Sequence, residues 1–579
     1  MIQKVAFKNF RRFENFPPLT LGGINIFVGR NNAGKSTVLK ALQLMKGNLN
    51  TLSNISNRGN IFASMKPMFV FDVDELAELH IDNFDRALYN KAERKEITLS
   101  VQISGCKFTI VLDGQNIEQN SYYVAVPYNF IELENDAFHL TFDFQTRDLH
   151  FSLMSELGKQ NEQKLVVLKK ERDSYTNNIA KAEIEYRELS AKIHGEHAHL
   201  LSTVDMIDVV SQRQKLETIL KNSQKQLTNI EKDIAKLEKE NSGLTVININ
   251  NLPDYSDSVK VNIIDHIFKI ISDYAYTPLT LDQRTKDYKQ ANETQEKIKA
   301  IHDDLMAVNS EFLSALSDFN MEYIHAHAAS QKVIYLKEDK TDVLSKSLSE
   351  FCKVRIIPGQ KEWNFVKKWM KRFEIGEDFR IKDVDSAGYM LRIFDEGEDP
   401  DKDTGMNLAD KGTGSIQLMT LLFSLAIIMH KVETEPYFPT VLIEEPEQNI
   451  HPMLQSLLAD LFLEFRKSIS EYMDFQLIIE THSEYLIRRT QVIVSEANYK
   501  TEEDLLENNP FNVVYFDKES QECPFYNMEY NTAGGFKRCF MPGFFDEASK
   551  LDMEIIRKER ELGNNIPTDA NSLTKLLNG

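Results

Sequence analysis

Gly29, Arg30, Asn31, Asn32, Ala33, Gly34, Lys35, Ser36 and Thr37 follow one another and fit the pattern Gly-x-x-x-x-Gly-Lys-Ser/Thr. An apolar run of strand length, residues 24–28, precedes them, and residues 37–45 are apolar at helical spacing. A strand, a glycine-rich turn and a helix in that order predict a phosphate-binding loop in an α/β fold built on a parallel sheet. In such a loop the backbone N–H groups wrap phosphate oxygens, and the positive end of the following helix points at them. Residues Asn31, Asn32, Ala33, Gly34 and Thr37 would form the cradle, Lys35 would bridge the β- and γ-phosphates, and Ser36 would ligate Mg²⁺. The expectation is a chain that binds a nucleoside triphosphate, with ATP and Mg²⁺ as cofactors.

At 579 residues the chain exceeds what one hydrophobic core holds, so two or three folding units are expected. A net charge of −20 disfavours a surface that coats nucleic acid, although a local basic groove is compatible with it. No apolar run approaches the ~20 residues that span a bilayer, and the start of the chain has no long apolar signal core. Cys106, Cys352, Cys523 and Cys539 are scattered with no C-x-x-C pair, which fits a reducing cytoplasm and argues against a structural zinc. A cytoplasmic protein with no membrane partner is expected.

Residues 1–155 read as mixed strand and helix, with Ile97, Leu99, Val101 and Ile103 alternating and an antiparallel meander continuing to Phe151. Within 156–245 the character changes. Leu168, Tyr175, Ala182 and Leu189 recur every seven residues, as do Leu220, Leu227 and Ile234 after a break. Two heptad stretches around a break predict an antiparallel coiled-coil hairpin, against the alternative of two amphipathic helices lying flat on a domain. Residues 246–282 read as irregular, and a polar-rich helical pattern from Arg284 to about Tyr323 suggests a lid, so that 246–345 is lid and linker. Residues 346–530 carry further helices and strands, and 531–579 form a tail.

The rest of a nucleotide site is visible in the later part. Residues 440–443 form a buried strand ending in Glu444, Glu445, Pro446 and Glu447. Carboxylates at the C-terminal end of a core strand lie beside the phosphate loop in open α/β sheets. There Glu444 would hold Mg²⁺ through water, and Glu445 would take a proton from the attacking water. A second buried strand, 475–479, ends in Glu480, Thr481, His482 and Ser483. Ser483 can cap the next helix, and His482 could hydrogen-bond the γ-phosphate or the water. Between loop and acidic strand, Gly412, Gly414, Ser415 and Gln417 open an apolar helix whose N-terminus is another anion site. One nucleotide needs one such loop, so this second one suggests contact with nucleotide held by another subunit.

Taken together, Asn9, Phe10 and Arg11, residues 29–37, the glycine loop at 412–417, residues 443–452, and Thr481, His482 and Ser483 resemble, in order, the ABC-type ATPases of the SMC/RecF/OLD group. The resemblance covers roughly 300 residues, split around the heptad region as this group splits its heads. It implies a two-lobed head with an inserted coiled-coil hairpin and lid, ATPase activity, and two heads sandwiching two ATP molecules. Gly414 and Ser415 of one head would then meet the γ-phosphate on the other's phosphate loop. Arg11 resembles the arginine placed near the phosphates, and Gln331 the glutamine that senses the γ-phosphate. The chain departs from the group in carrying Glu444 where many members have Asp. The signature wording of transporters is absent, and too little chain follows His482 for a TOPRIM nuclease and its sheet. Residues 541–547 resemble the ending of many stand-alone bacterial ATPases of this group, and residues 323–327 the strand leading to their second lobe; these include the ATPases of Septu and PARIS-type systems that sit beside a separate effector in antiphage defence.

The leading expectation is therefore an ATPase switch, dimeric or of higher order, that gates a separate nuclease or toxin. A DNA-tethering repair-type ATPase and a slow-turnover ATP-bound scaffold are the alternatives. His194, His197 and His199 cluster at the break between the heptad stretches, and two chains could place them around Zn²⁺, as against a solvated polar turn.

Overall fold

The computed structural model describes residues 1–53, 55–56, 68–71, 76, 79–119, 124–136, 138–146, 148–153, isolated positions between 168 and 221, and 223–234. It further describes 245–248, 260–279, 283–300, 302–317, 320–325, 330–339, 341–385, 387–402, 405–434, 439–470, 475–520, 523–541 and 544–561.

A six-stranded sheet organises the molecule. Strands Asn320–Ile324, Pro439–Glu444, Gln476–Glu480, Ile24–Gly29 and Phe511–Phe516 lie side by side in that order and run parallel. Phe525–Asn527 closes the sheet antiparallel. Successive side chains of a strand point to opposite faces. Ile24, Ile26 and Val28 accordingly enter one hydrophobic core, and Phe27 enters the other. Both faces are covered, which explains why these strands read as unbroken apolar runs. Because the five strands run the same way, their C-terminal ends share one edge. Glu444 pairs with Glu480, and Glu480 pairs with Phe27, just before the phosphate loop.

One core joins the parallel sheet to an antiparallel sheet through the helix Lys35–Ser53, which is buried along most of its length. The expected meander is present as Glu96–Ile103, Cys106–Asp113, Val124–Glu134, Phe138–Asp143 and Asp148–Leu153. Strand Thr245–Asn248 then pairs with Asp148–Leu153, so the chain leaves this sheet and re-enters it at neighbouring points. In the second core, helices Val343–Lys353, Lys361–Arg372, Thr413–Thr434 and Leu457–Ser470 cover the other face. Helix Thr413–Thr434 is long and apolar enough to cross a membrane, although the sequence shows no unbroken run of that length; 78% of its most apolar window is buried in the protein.

Within the heptad region, Leu168, Arg172, Ile179, Ala182 and Tyr186 are helical, as are 223–234, where Ile230 and Ile234 are buried. Arg213 donates to the Tyr186 hydroxyl at 3.0 Å, with its guanidinium over the ring. His194, His197 and His199 lie outside the described residues.

Two expectations change between 246 and 345. The stretch read as irregular contains helix Ile263–Tyr276, whose N-terminal N–H groups are capped by the Asn262 side chain. Ile263, Ile264, Ile267, Phe268 and Ile271 are buried on it, and packing overrides the strand preference of so many β-branched residues. The polar-rich pattern after Arg284 gives helices Lys286–Ala300 and His302–Ser317, then ends in the core strand Asn320–Ile324. A strand of the nucleotide-site sheet thus sits inside the range expected to be lid and linker.

Trp369 is fully buried, with Phe365 and Phe373 beside it and the Arg372 guanidinium 4.3 Å from its ring. Trp369→Ala is expected to lower the unfolding free energy by about 3–5 kcal/mol, read as a fall in the urea midpoint.

Candidate functional site

The phosphate loop needs its glycines. Gly29 has φ +148°, and a Cβ there would lie 2.5 Å from the Phe516 carbonyl oxygen; at Gly34, φ +109°, it would lie 2.3 Å from the Phe13 ring. Asn32 is also left-handed, at φ 62°. The turn is closed by N–H bonds from Ala33 to the Arg30 carbonyl and from Thr37 to the Gly34 carbonyl, both 3.1 Å. Asn31 and Asn32 are exposed, whereas Ala33, Gly34, Lys35 and Thr37 are buried.

Lys35 Nζ donates to the carbonyls of Gly29 at 3.1 Å and Arg30 at 3.4 Å, and to His482 Nε2 at 3.1 Å. Burial lowers its pKa, and the carboxylates of Glu480, Glu445 and Glu447 oppose that shift. The Ser36 hydroxyl donates to Glu480 Oε1 at 2.8 Å, and the same oxygen is 3.7 Å from Lys35 Nζ. Burial pushes the Glu480 carboxyl up to about 7 against the pull of Lys35 and Ser36, with Glu444 and Glu445 adding to the rise. Its second oxygen, Oε2, is buried and has no hydrogen-bond partner among the described residues.

At the end of the neighbouring strand, Glu444 Oε2 accepts a hydrogen bond from the Tyr323 hydroxyl at 2.8 Å. Glu445 holds a left-handed backbone, φ 39°, and donates its N–H to the Glu480 carbonyl at 2.8 Å. Such a conformation costs a non-glycine residue about 1–3 kcal/mol and is found where a side chain must be aimed. The Glu445 carboxylate accepts from the Gln448 amide through Oε2, and its Oε1 lies 3.5 Å from His482 Nε2. Glu447 is buried and accepts from the His482 backbone N–H, which fixes the turn bearing the imidazole. Burial, then the charge on Lys35, lowers the pKa of His482. One ligand atom from each of Glu445, Glu480 and His482 lies within 4.8 Å of the others.

The structure thus brings Lys35, Ser36, Glu445 and His482 into one cluster and places Glu444 at its rim. Arg11, φ 56°, donates to the carbonyls of His80 at 3.2 Å and Arg86 at 3.3 Å. Lys40, on the helix after the loop, has its pKa lowered by burial and then by Arg11, while Glu444 and Glu480 oppose that shift. Gly414 packs on the turn after the acidic strand, where a Cβ would lie 2.4 Å from the Asn449 carbonyl oxygen. Ser415 Oγ donates to the Lys411 carbonyl at 3.3 Å, Gln417 is buried, and Gln331 is exposed ahead of Tyr335–Leu336.

The AAA ATPase domain family matches residues 1–487. The chain belongs to that family. An AAA ATPase domain implies ATP binding, and the phosphate loop with its neighbouring carboxylates agrees with it. Among solved structures, it is similar to an Smc head domain with an extended coiled coil bound to the C-terminal domain of ScpA, from Pyrococcus furiosus. There the TM-score is 0.27 and the identity 11%, over 96% of this chain and 99% of that one. An Smc head domain with a coiled coil and joint from Pyrococcus yayanosii gives 0.29 and 11%, over 91% and 97%. The SMC head domain from Thermotoga maritima gives 0.29 and 8%, over 91% and 99%. No curated protein matches the chain.

Three residues of this cluster escape a sequence reading. Glu480 carries the signal of a carboxylate ending a buried strand, but nothing in the local sequence marks its contact with Ser36. Tyr323 and Lys40 carry no such signal: Tyr323 meets Glu444 because its strand lies beside the acidic strand, and Lys40 sits on the helix that follows the loop.

The raised pKa of Glu480 has a measurable consequence for the protein free of nucleotide and metal. Above its unfolded value of 4.5, the buried carboxyl opposes folding increasingly as pH rises, and the penalty is complete above about 7. Glu480→Gln removes the penalty and can still accept from Ser36. Its melting temperature is expected to match that of the parent near pH 5 and exceed it at pH 8, by a stability gain on the order of 3 kcal/mol at most.

Proposed function

We propose that the chain is a Mg²⁺-dependent ATP hydrolase acting as a switch, in which two copies engage head to head over two ATP molecules and separate after hydrolysis. The observation that carries this reading is the convergence of Lys35, Ser36, Glu445 and His482 at one edge of the parallel sheet.

The present partners of Lys35, two loop carbonyls and an imidazole nitrogen, are acceptors that phosphate oxygens would replace. Once Lys35 turns to the β- and γ-phosphates, His482, kept neutral by burial, is released to orient the attacking water. Glu445 takes the proton, with Gln448 holding one of its oxygens and its backbone fixing its aim. The Ser36 hydroxyl and the unpartnered buried oxygen of Glu480 are hard oxygen donors of the type Mg²⁺ takes. Mg²⁺, when bound, supplies charge stabilisation for the phosphate oxygens. From the second copy, Gly414, Ser415 and the N-terminus of helix Thr413–Thr434 would face the γ-phosphate, with Arg11 and Gln331 nearer the chain's own nucleotide.

The switch gates a separate effector, a nuclease or toxin, in prokaryotic antiphage defence, with the heptad insertion as a hairpin that senses the trigger. Support for the hairpin is the helical state of the described heptad residues, among them Leu168, Ala182 and 223–234, and the contact of Arg213 with Tyr186. Support for the context is the resemblance of residues 541–547 to stand-alone defence ATPases; Phe544 packs 5.1 Å from Tyr515 of the parallel sheet.

Turnover of Mg²⁺-ATP, followed with mass in solution, tests the proposal. Lys35→Ala is expected to weaken ATP binding roughly 10-fold or more. Glu445→Gln is expected to keep ATP binding, lose about 10²–10⁴ in turnover, and gain mass as engaged heads accumulate. Variants indistinguishable from wild type would refute the site.

A further inference from the structure

The cation that accompanies the nucleotide needs a carboxylate beside Ser36, and two strand ends offer one. We infer that in this chain Glu480, on the strand next to the phosphate loop, is that carboxylate, and that Glu444 is a positioning residue held by Tyr323. The inference rests on the ATP-binding reading above and assigns its metal site.

Strand order is the first argument. Gln476–Glu480 lies between Pro439–Glu444 and Ile24–Gly29, so Glu480 starts one strand spacing, about 4.8 Å, nearer the loop than Glu444. Glu444 and Glu480 are register partners in a parallel pair and emerge on the same face. A carboxylate at 480 therefore stands between Glu444 and Ser36.

Occupancy is the second. Ser36, the hydroxyl that would ligate the cation, already donates to Glu480 at 2.8 Å. Glu444 spends an oxygen on the Tyr323 hydroxyl at 2.8 Å, on the side away from the loop, since Asn320–Ile324 flanks the acidic strand opposite Gln476–Glu480.

The third argument is an unmet demand. Glu480 is 2% exposed, and its Oε2 is buried with no partner among the described residues. A buried carboxylate oxygen left unpaired is costly. Its nearest positive charge, Lys35 at 3.7 Å, is also the group that the phosphates would claim. Nucleotide binding by Lys35 thus strips Glu480 of its counter-charge at the moment a divalent cation arrives with the phosphates. A cation against Oε2 answers both deficits, and the oxygen set of Ser36, Glu480, phosphate and water suits Mg²⁺.

The test separates this assignment from the nucleotide reading. A fluorescent ATP analogue is titrated into the full chain in EDTA and again in Mg²⁺, and bound Mn²⁺ is counted by electron paramagnetic resonance. Wild type is expected to bind tighter with metal. Glu480→Gln should match wild type in EDTA within about threefold, yet lose roughly 10–100-fold of the gain from metal, with a matching loss of bound Mn²⁺. Glu444→Gln and Tyr323→Phe should keep most of that gain. If Glu480→Gln does not fold, Glu480→Asp takes its place, with a smaller loss expected and an unchanged gain overturning the assignment. Full retention in Glu480→Gln with loss in Glu444→Gln overturns it too, while a Lys35→Ala defect in EDTA would leave the nucleotide reading standing. A wild type that binds no nucleotide overturns both.

Discussion

The register of three parallel strands governs this molecule. Because Glu444 pairs with Glu480, and Glu480 with Phe27, the ends of strands far apart in sequence arrive at one edge with their side chains on one face. Everything chemical follows from that edge. Slipping one strand by one residue would reverse its faces, sending Glu480 away from Ser36 and exposing Ile479 or Ile478 to the wrong core. Apolar packing on both faces is thus what holds a carboxylate within 2.8 Å of the loop hydroxyl.

The site concentrates unfavourable local choices on that well-packed frame. Glu445 has a left-handed backbone, Glu447 and Glu480 are buried acids raised by desolvation, and Lys35 is a buried amine lowered by it. Each is costly alone, and each is partly compensated by another member of the cluster. Such mutual dependence is expected where ligand phosphates and a cation complete the set of partners.

How much of this was legible in the sequence depends on distance along the chain. Lys35, Ser36, Glu445 and His482 adjoin glycine turns or apolar runs that mark strand ends, so their meeting could be anticipated from local pattern. The roles of Tyr323 and Lys40 could not: strand order brings Tyr323 beside Glu444, and Lys40 depends on how the helix after the loop docks, neither of which a single stretch encodes. Helix Ile263–Tyr276 was obscured because isoleucine-rich sequence favours strands in isolation, although Asn262 offered a cap signal. The strand Asn320–Ile324 follows a helical pattern that ends only a few residues earlier; the family resemblance of residues 323–327 pointed to a strand there, but not to its place beside the acidic strand, which Tyr323 reaches.

Strands Asp148–Leu153 and Thr245–Asn248 are hydrogen-bonded partners, so the residues between them begin and end at one place on the sheet. From the standpoint of the sheet, that span is a connection whose closure is already secured by backbone pairing. Closure entropy grows only slowly with loop length, so the span can lengthen, shorten or be exchanged with little effect on the nucleotide site. The edge of carboxylates beside the phosphate loop can therefore stay as it is while the number of residues between those two strands changes.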